Sequence, residues 1–135
     1  MGLDARNAEQ LRVRYLTEAI ETATPAGRFI MLIDALEMDL AFADKAFAAG
    51  DNLKEISDRL IHAQEILLTL RDTLDTTMWD GAERLAALYD YLGTELLHAN
   101  MDKDRARAAE VARHVSQLAA AWRQAATQIE AAVSA

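Results

Sequence analysis

Glu95-Leu96-Leu97-His98 is the stretch whose residue types and spacing come nearest to chemistry. Side chains at i and i+3 of a helix project together. Glu-x-x-His is the ligand spacing of di-iron bundles, which carry it twice and add two further inward carboxylates. Here it occurs once. Glu95 reads as the rim of its helix's apolar stripe and His98 lies further toward the polar side, so the pattern favours solvated side chains over a metal site. His62 falls opposite the apolar stripe of its own helix, where a phosphotransfer bundle would display a histidine. Ala63-Gln64-Glu65 follow it, with no nearby Lys and Gly to hold a phosphoryl group. Developing charge would then have no donor. His114 flanks the last helix and suggests no chemistry. The chain has no cysteine, hence no disulfide or thiolate metal site. It shows no phosphate-binding glycine loop. No Ser has an evident His/Asp set, although triads are assembled in space and sequence spacing does not decide them. The expectation is a protein with no catalytic residues, no metal and no cofactor.

The elements must therefore position something other than a reaction centre. The chain has 135 residues, enough for one domain with a core. Fourteen basic residues face twenty-two acidic ones, a net charge of −8. That argues against nucleic acid, whose phosphates need a basic face. No run reaches the roughly 18 apolar residues of a membrane span. The first thirty residues are studded with Asp, Glu and Arg, so no secretory signal is visible. Met1-Gly2 is followed by Arg6 where a myristoylation signal wants Ser or Thr. Together with the absence of cysteine these features suit a cytoplasmic protein without membrane insertion. Abundant Ala with scarce Gly and Pro favours long helices.

Five helices can be read. The first, roughly Asp4 to Glu21, is the weakest: Ala8, Leu11, Tyr15, Ala19 and Ile20 are interrupted by Arg12 and Arg14. Thr24-Pro25 then reads as an N-cap followed by proline at the first helical position. The second helix runs to Ala49 and stops at Gly50, suited to the left-handed C′ position. Asn52 and Glu55 resemble a capping box. After them Leu53, Ile56, Leu60, Ala63, Leu67, Leu70 and Leu74 step by three and four, with Ile61, Ile66 and Leu68 widening the face. Asp75 to Gly81 breaks the pattern. Asp80 with Glu83 reads as the next N-cap, and Leu85, Tyr89, Leu92, Leu96 and Ala99 form the fourth stripe. Asn100 and the charged run after it mark a turn, and Ala108, Val111, Val115, Leu118, Trp122, Ala125, Ile129 and Ala132 form the fifth. The fold class is all-α: an antiparallel four-helix bundle (24–133) with an additional short N-terminal helix (1–22), in one domain. Crossing angles near +20° fit the heptad-like steps. Tyr89 is expected in the core with its hydroxyl at the bundle edge, Trp122 in the core, and Trp79 plugging the bundle end.

The second helix carries too many apolar residues for one face. Phe29, Ile33, Leu36, Leu40, Ala43 and Phe47 make one stripe. Met31, Ala35, Met38 and Phe42, continued by Ala46 and Ala49, make another nearly opposite at about 100° per residue. Either the helix is buried on two sides, by the bundle and by the first helix, or the second stripe is a surface kept for a partner, for which adaptable Met suits. The two combine if the first helix is a removable cover.

Four segments in order carry a family resemblance from Tyr15 to Gln124. They are TATPAGRFIMLID (Thr22 to Asp34), LIHAQEILLTLRDTLD (Leu60 to Asp75), LYDYL with LLHAN (Leu88 to Asn100) and AAAWRQ (Ala119 to Gln124). Together they resemble the FliS-type flagellin export chaperones. Departures are Ile33 where an aromatic is usual, Met78-Trp79 for a common Gly-Gly, and Arg84 for a common Asn. The interval from Tyr15 to Pro25 is also shorter than in some members. The resemblance implies a cytoplasmic, non-enzymatic bundle. Such proteins bind the disordered C-terminal segment of flagellin, prevent its premature polymerisation and aid delivery to the flagellar type III export gate. It implies short client helices laid in apolar grooves, and an N-terminal segment that occupies part of that surface without client. Facing geometry and the resemblance together place Met31, Ala35, Met38, Phe42, Ile61, Leu68, Tyr91 and Leu97 in the groove. Asn100 would hold client backbone or cap the helix, and Tyr15 and Ile20 would belong to the cover. A different expectation is a structural or regulatory bundle that self-associates, as a homodimer, through the same apolar surface.

Overall fold

Periodic apolar positions become helices wherever both ends can be satisfied, and the ends are where this chain is most explicit. The computed structural model describes residues 7–14, 25–50, 52–77 and 79–134. Helix α1 covers residues 7–14, followed by α2 (Pro25–Ala49), α3 (Leu53–Thr73), α4 (Ala82–Asp102) and α5 (Arg105–Ser134). Thr24 lies outside the described residues, but Pro25 opens α2 as its fixed φ favours. Gly50 closes α2 at φ 89° and donates its N–H to Phe47 O at 3.1 Å, the left-handed stop its lack of a side chain permits. Asn52 Oδ1 accepts the Glu55 N–H at 3.1 Å, which satisfies one orphan donor of α3. The Glu55 carboxylate turns instead to Arg59 Nε, 2.9 Å away, so the reciprocal half of the expected capping box is given over to an i,i+4 ion pair.

The boundaries of α4 differ from the sequence expectation. The N-cap of α4 is Gly81, with no side-chain cap, rather than Asp80. The Trp79 carbonyl accepts the Ala82 N–H at 3.2 Å, and this turn sets the first helical residue one position later than the Asp80–Glu83 spacing suggests. The Trp79 ring folds back over Gly81, where a Cβ would stand 1.8 Å from Cζ3. Trp79 is 51% exposed, so it covers the turn and does not plug the bundle. At the far end of α4 the chain turns through Lys103 at φ 49°. The Asp104 N–H reaches Ala99 O at 2.9 Å and the Lys103 N–H reaches Asn100 O at 3.4 Å, the pairing of a Schellman motif. Asp104 Oδ1 then accepts the Arg107 N–H at 3.1 Å and starts α5.

The four long helices pack as a ring, α2 on α3, α3 on α4, α4 on α5 and α5 on α2. Cross-links at opposite ends make the seams antiparallel: Arg105 with Asp44 and Arg123 with Asp34 between α5 and α2, Ser57 with Asn100 and Arg71 with Asp90 between α3 and α4. The expected stripes fill the centre: Ile33, Leu36, Leu40 and Ala43; Ile56, Leu60, Ala63, Leu67 and Leu70; Leu85, Tyr89, Leu92, Leu96 and Ala99; Val111 and Val115. Phe29 and Trp122 meet at the periphery of the core with ring centroids 4.5 Å apart. Leu53, counted among the core stripe from its spacing, is the first residue of α3 and is exposed. Ala46, assigned to the second stripe, is buried, as is Ala119, which the spacing did not single out. Tyr89 is core as expected, but its hydroxyl does not reach the edge: it is buried with no hydrogen-bond partner. No helix among the described residues is long and apolar enough to cross a membrane.

Candidate functional site

A helix in a ring of four has two neighbours, so α3 borders two grooves. At about 100° per residue its outward positions divide cleanly. Glu55, Arg59, His62 and Ile66 face α2. Ser57, Ile61, Gln64, Leu68 and Arg71 face α4.

The α2–α3 groove is a hollow of about 570 Å³. Leu32, Ala35 and Met38 form its α2 wall, and Ile66 belongs to the α3 wall. Glu9, Arg12 and Val13 of α1 form its roof. Arg12 Nη2 lies 3.4 Å from Met38 Sδ. Met38 is 45% exposed, so the roof leaves it accessible. Leu11 and Val13 are also exposed, and α1 therefore rests on the groove without burying its own apolar residues. A polar knot lies at the groove floor. Asp39 is 3% exposed and a lone carboxylate there would be costly. His62 Nδ1 contacts its Oδ2, and Arg59 Nη1 stands 3.4 Å from its Oδ1. Arg59 is shared with Glu55 and also covers the Phe42 ring, with Cζ 4.6 Å from the centroid. The hydrogen bond with Glu55, and the charges of Glu55 and Asp39, hold Arg59 above its ordinary pKa against desolvation.

The α3–α4 groove is smaller, about 330 Å³, and no residue of α1 lines it. Leu67, Leu68, Tyr89, Gly93 and Leu97 supply its apolar lining. Arg71 Nε pairs with Asp90 Oδ2 at 3.3 Å at one end. At the other end Ser57 Oγ donates to Asn100 Oδ1 at 3.0 Å, and Lys103 Nζ donates to Ser57 Oγ at 2.8 Å and to Asn100 O at 2.7 Å. Gly93 sits mid-helix, where glycine costs about 1 kcal/mol relative to Ala. A Cβ built there meets nothing within 4 Å, so the absent side chain leaves open space. Burial pushes the Tyr89 phenol up to about 12.

The residues singled out from sequence thus fall on two sides of α3 rather than in one groove. Ala35 and Met38 line the first. Met31 is half-buried and seven residues from Met38, about 20° round the helix. Phe42 is half-buried under Arg59. Leu68 and Leu97 line the second groove, with exposed Ile61 on the same flank of α3 and Asn100 closing one end. Tyr91 is exposed and roughly 120° from Leu97 around α4, on the side where Glu95 meets Arg107 of α5 at 3.1 Å; it enters neither groove. That ion pair is also where the Glu95 of the Glu-x-x-His pattern is spent, while His98 is exposed. Tyr15 and Ile20 lie outside the described residues. The sequence reading missed Arg12, Asp39 and Gly93. Asp39 looks like one more solvated acid, and only its place 23 residues before His62 on a neighbouring helix reveals the pairing.

Fold and site together define an antiparallel helical bundle with an apolar groove on each flank of α3, one of them roofed by an N-terminal helix of the same chain. The chain belongs to the FliS family: the family described as Flagellar protein FliS matches residues 7–129. The flagellar secretion chaperone FliS of Bacillus subtilis (strain 168) is 32% identical to it over 111 residues, 82% of either chain.

Proposed function

We propose that the protein is a cytoplasmic flagellar secretion chaperone whose client is flagellin. It binds the disordered C-terminal segment of flagellin as short amphipathic helices, prevents premature polymerisation, and passes the subunit to the flagellar type III export gate without catalysing a reaction. The observation that carries this reading is the α2–α3 groove with a short helix already resting on it. Arg12 touches Met38, yet Met38 stays 45% exposed. A cover that buries so little of its own apolar surface is one a longer client helix can displace. Helix-in-groove recognition reads apolar anchors at i, i+3, i+4 and i+7, and Met31, Ala35, Met38 and Phe42 offer the matching wall. A disordered client must offset its ordering entropy with area. The complex is therefore expected to bury about 1,000 Å² or more, worth roughly 25 cal/mol per Å² before those costs.

Titration calorimetry with a peptide of the flagellin C-terminal segment tests the reading. A one-to-one complex at micromolar affinity or tighter is expected; no heat at tens of micromolar overturns it. Deleting residues 1–20 should tighten binding, since the cover no longer competes. An unchanged or weaker affinity removes the cover from the mechanism.

A further inference from the structure

We infer that client binding in the α2–α3 groove is coupled to uptake of a proton by His62, so that the protein holds its client more tightly as pH falls from 8 to 6. The inference rests on the chaperone reading above. Its basis is a charge imbalance in the groove floor. Asp39 is buried. His62 Nδ1 contacts one of its oxygens, and Arg59 Nη1 stands 3.4 Å from the other. Arg59 does not serve Asp39 alone, because its Nε is 2.9 Å from Glu55. Two carboxylates thus share one guanidinium, and with a neutral imidazole the cluster carries one uncompensated negative charge. The other charged groups of the lining leave that imbalance in place. Glu9 and Arg12 of α1 pair with each other at 3.7 Å. Asp58 of α3 pairs with Lys54 at 2.7 Å. Histidine is the side chain whose charge ordinarily changes between pH 5 and 8, and His62 is the histidine of this lining.

Water solvates the excess charge while the groove is empty of client, since the side chains of His62, Arg59 and Glu55 all reach solvent. A client helix seated against Leu32, Ala35, Met38 and Ile66 displaces that water. Uncompensated charge then costs far more, whereas an imidazolium beside a carboxylate is a matched, charge-assisted pair. The atom that gains the proton follows from the contact. Nδ1 faces the Asp39 carboxylate and carries a hydrogen in either form, so Nε2 takes up the second. The other two histidines lie outside this hollow: His98 is exposed on α4, and His114 stands 3.4 Å from Glu110 on α5. The complex binds more protons than its separate parts, so affinity rises as pH falls, by at most tenfold per pH unit for one proton.

Titration calorimetry of the full chain with the flagellin C-terminal peptide reads the coupling, at pH 7 in buffers of different ionisation enthalpy and then from pH 6 to pH 8. Net uptake of a fraction of a proton is expected, with an affinity about fivefold tighter at pH 6 than at pH 8. Buffer-independent heat with constant affinity overturns this inference while leaving the chaperone reading intact, and so does proton release. Absence of binding by the parent chain overturns both. His62→Gln keeps a donor for Asp39 and should abolish the uptake; uptake that survives there belongs to another histidine or to the peptide and overturns the inference. His62→Lys holds a positive charge at that position across the range. It should bind at pH 8 about as tightly as the parent chain does at pH 6, about fivefold tighter than the parent at pH 8, without uptake. Binding at pH 8 no stronger than the parent's refutes the charge argument, and this arm stands whether or not His62→Gln folds.

Discussion

Asp39 of α2 and His62 of α3 are joined across the groove floor, imidazole nitrogen on carboxylate oxygen, with Arg59 on the other oxygen. The acid is buried while its partners reach solvent, Arg59 at 37% and His62 at 58% side-chain exposure. The knot is therefore asymmetric. Replacing both Arg59 and His62 by Ala strands a buried carboxylate, and about 3 kcal/mol of stability should be lost. Asp39→Ala leaves Arg59 still held by Glu55 and His62 with access to water, and should cost about 1 kcal/mol. Urea unfolding of the two variants at neutral pH checks the order; a larger loss for Asp39→Ala would reverse it.

Met38→Glu should separate groove from core. Met38 is half exposed, so the melting temperature should fall by only a few degrees. Client affinity should drop at least tenfold, about 1.4 kcal/mol. Two effects act in one direction. A charge is placed on an apolar wall, and Arg12, now 3.4 Å from the sulfur, gains a carboxylate partner that fastens the cover. Calorimetry and thermal unfolding on the same variant suffice, and collapse of the fold would assign the second stripe to the core.

Tyr89 predicts an alkaline limit to stability. Burial pushes its pKa up from the ordinary 10.0 to about 12. The folded chain thus keeps the phenol neutral where the unfolded chain would ionise it. The sign follows by linkage: this contribution is complete below pH 10 and is lost as pH rises from 10 toward 12. Ultraviolet titration of phenolate should show a late step near pH 12 that Tyr89→Phe abolishes. Retention of that step in the variant would assign it to another tyrosine.

Asn100→Ala should act on the fold first. Its side-chain oxygen takes hydrogen bonds from Ser57 and Lys103, tying α3 to the end of α4. Removing that acceptor should cost about 1–2 kcal/mol and change client affinity less than twofold. A large affinity loss with unchanged stability would return Asn100 to the client surface.

Much of the architecture was legible because burial and periodicity coincide. Leu85, Tyr89, Leu92, Leu96 and Ala99 step along α4 without interruption and every one is buried. Gly50 and Asn52 announced their boundaries through chemistry that only a few residue types supply. Leu53 misled because a period records which face a residue occupies, not whether a neighbour covers it. The site was half legible for a related reason. Spacing identifies an apolar excess on a helix, as for Met38 or Leu68, but assigning that excess to a groove requires knowing which helix lies on each flank. Leu68 and Met38 were placed together on that account, although they line hollows on opposite flanks of α3. Asp39 and Tyr89 were opaque because an acid's burial and a hydroxyl's missing partner are properties of the assembled ring.

The lengths of the connections bear on how the grooves open. Two residues, Lys103 and Asp104, link α4 to α5, and three, Gly50 to Asn52, link α2 to α3. Eight, Leu74 to Gly81, lie between α3 and α4. The tether with the most slack thus joins the two helices that frame the Tyr89 hollow. Among the consecutive helix pairs of the ring, that is the one whose separation the covalent chain limits least.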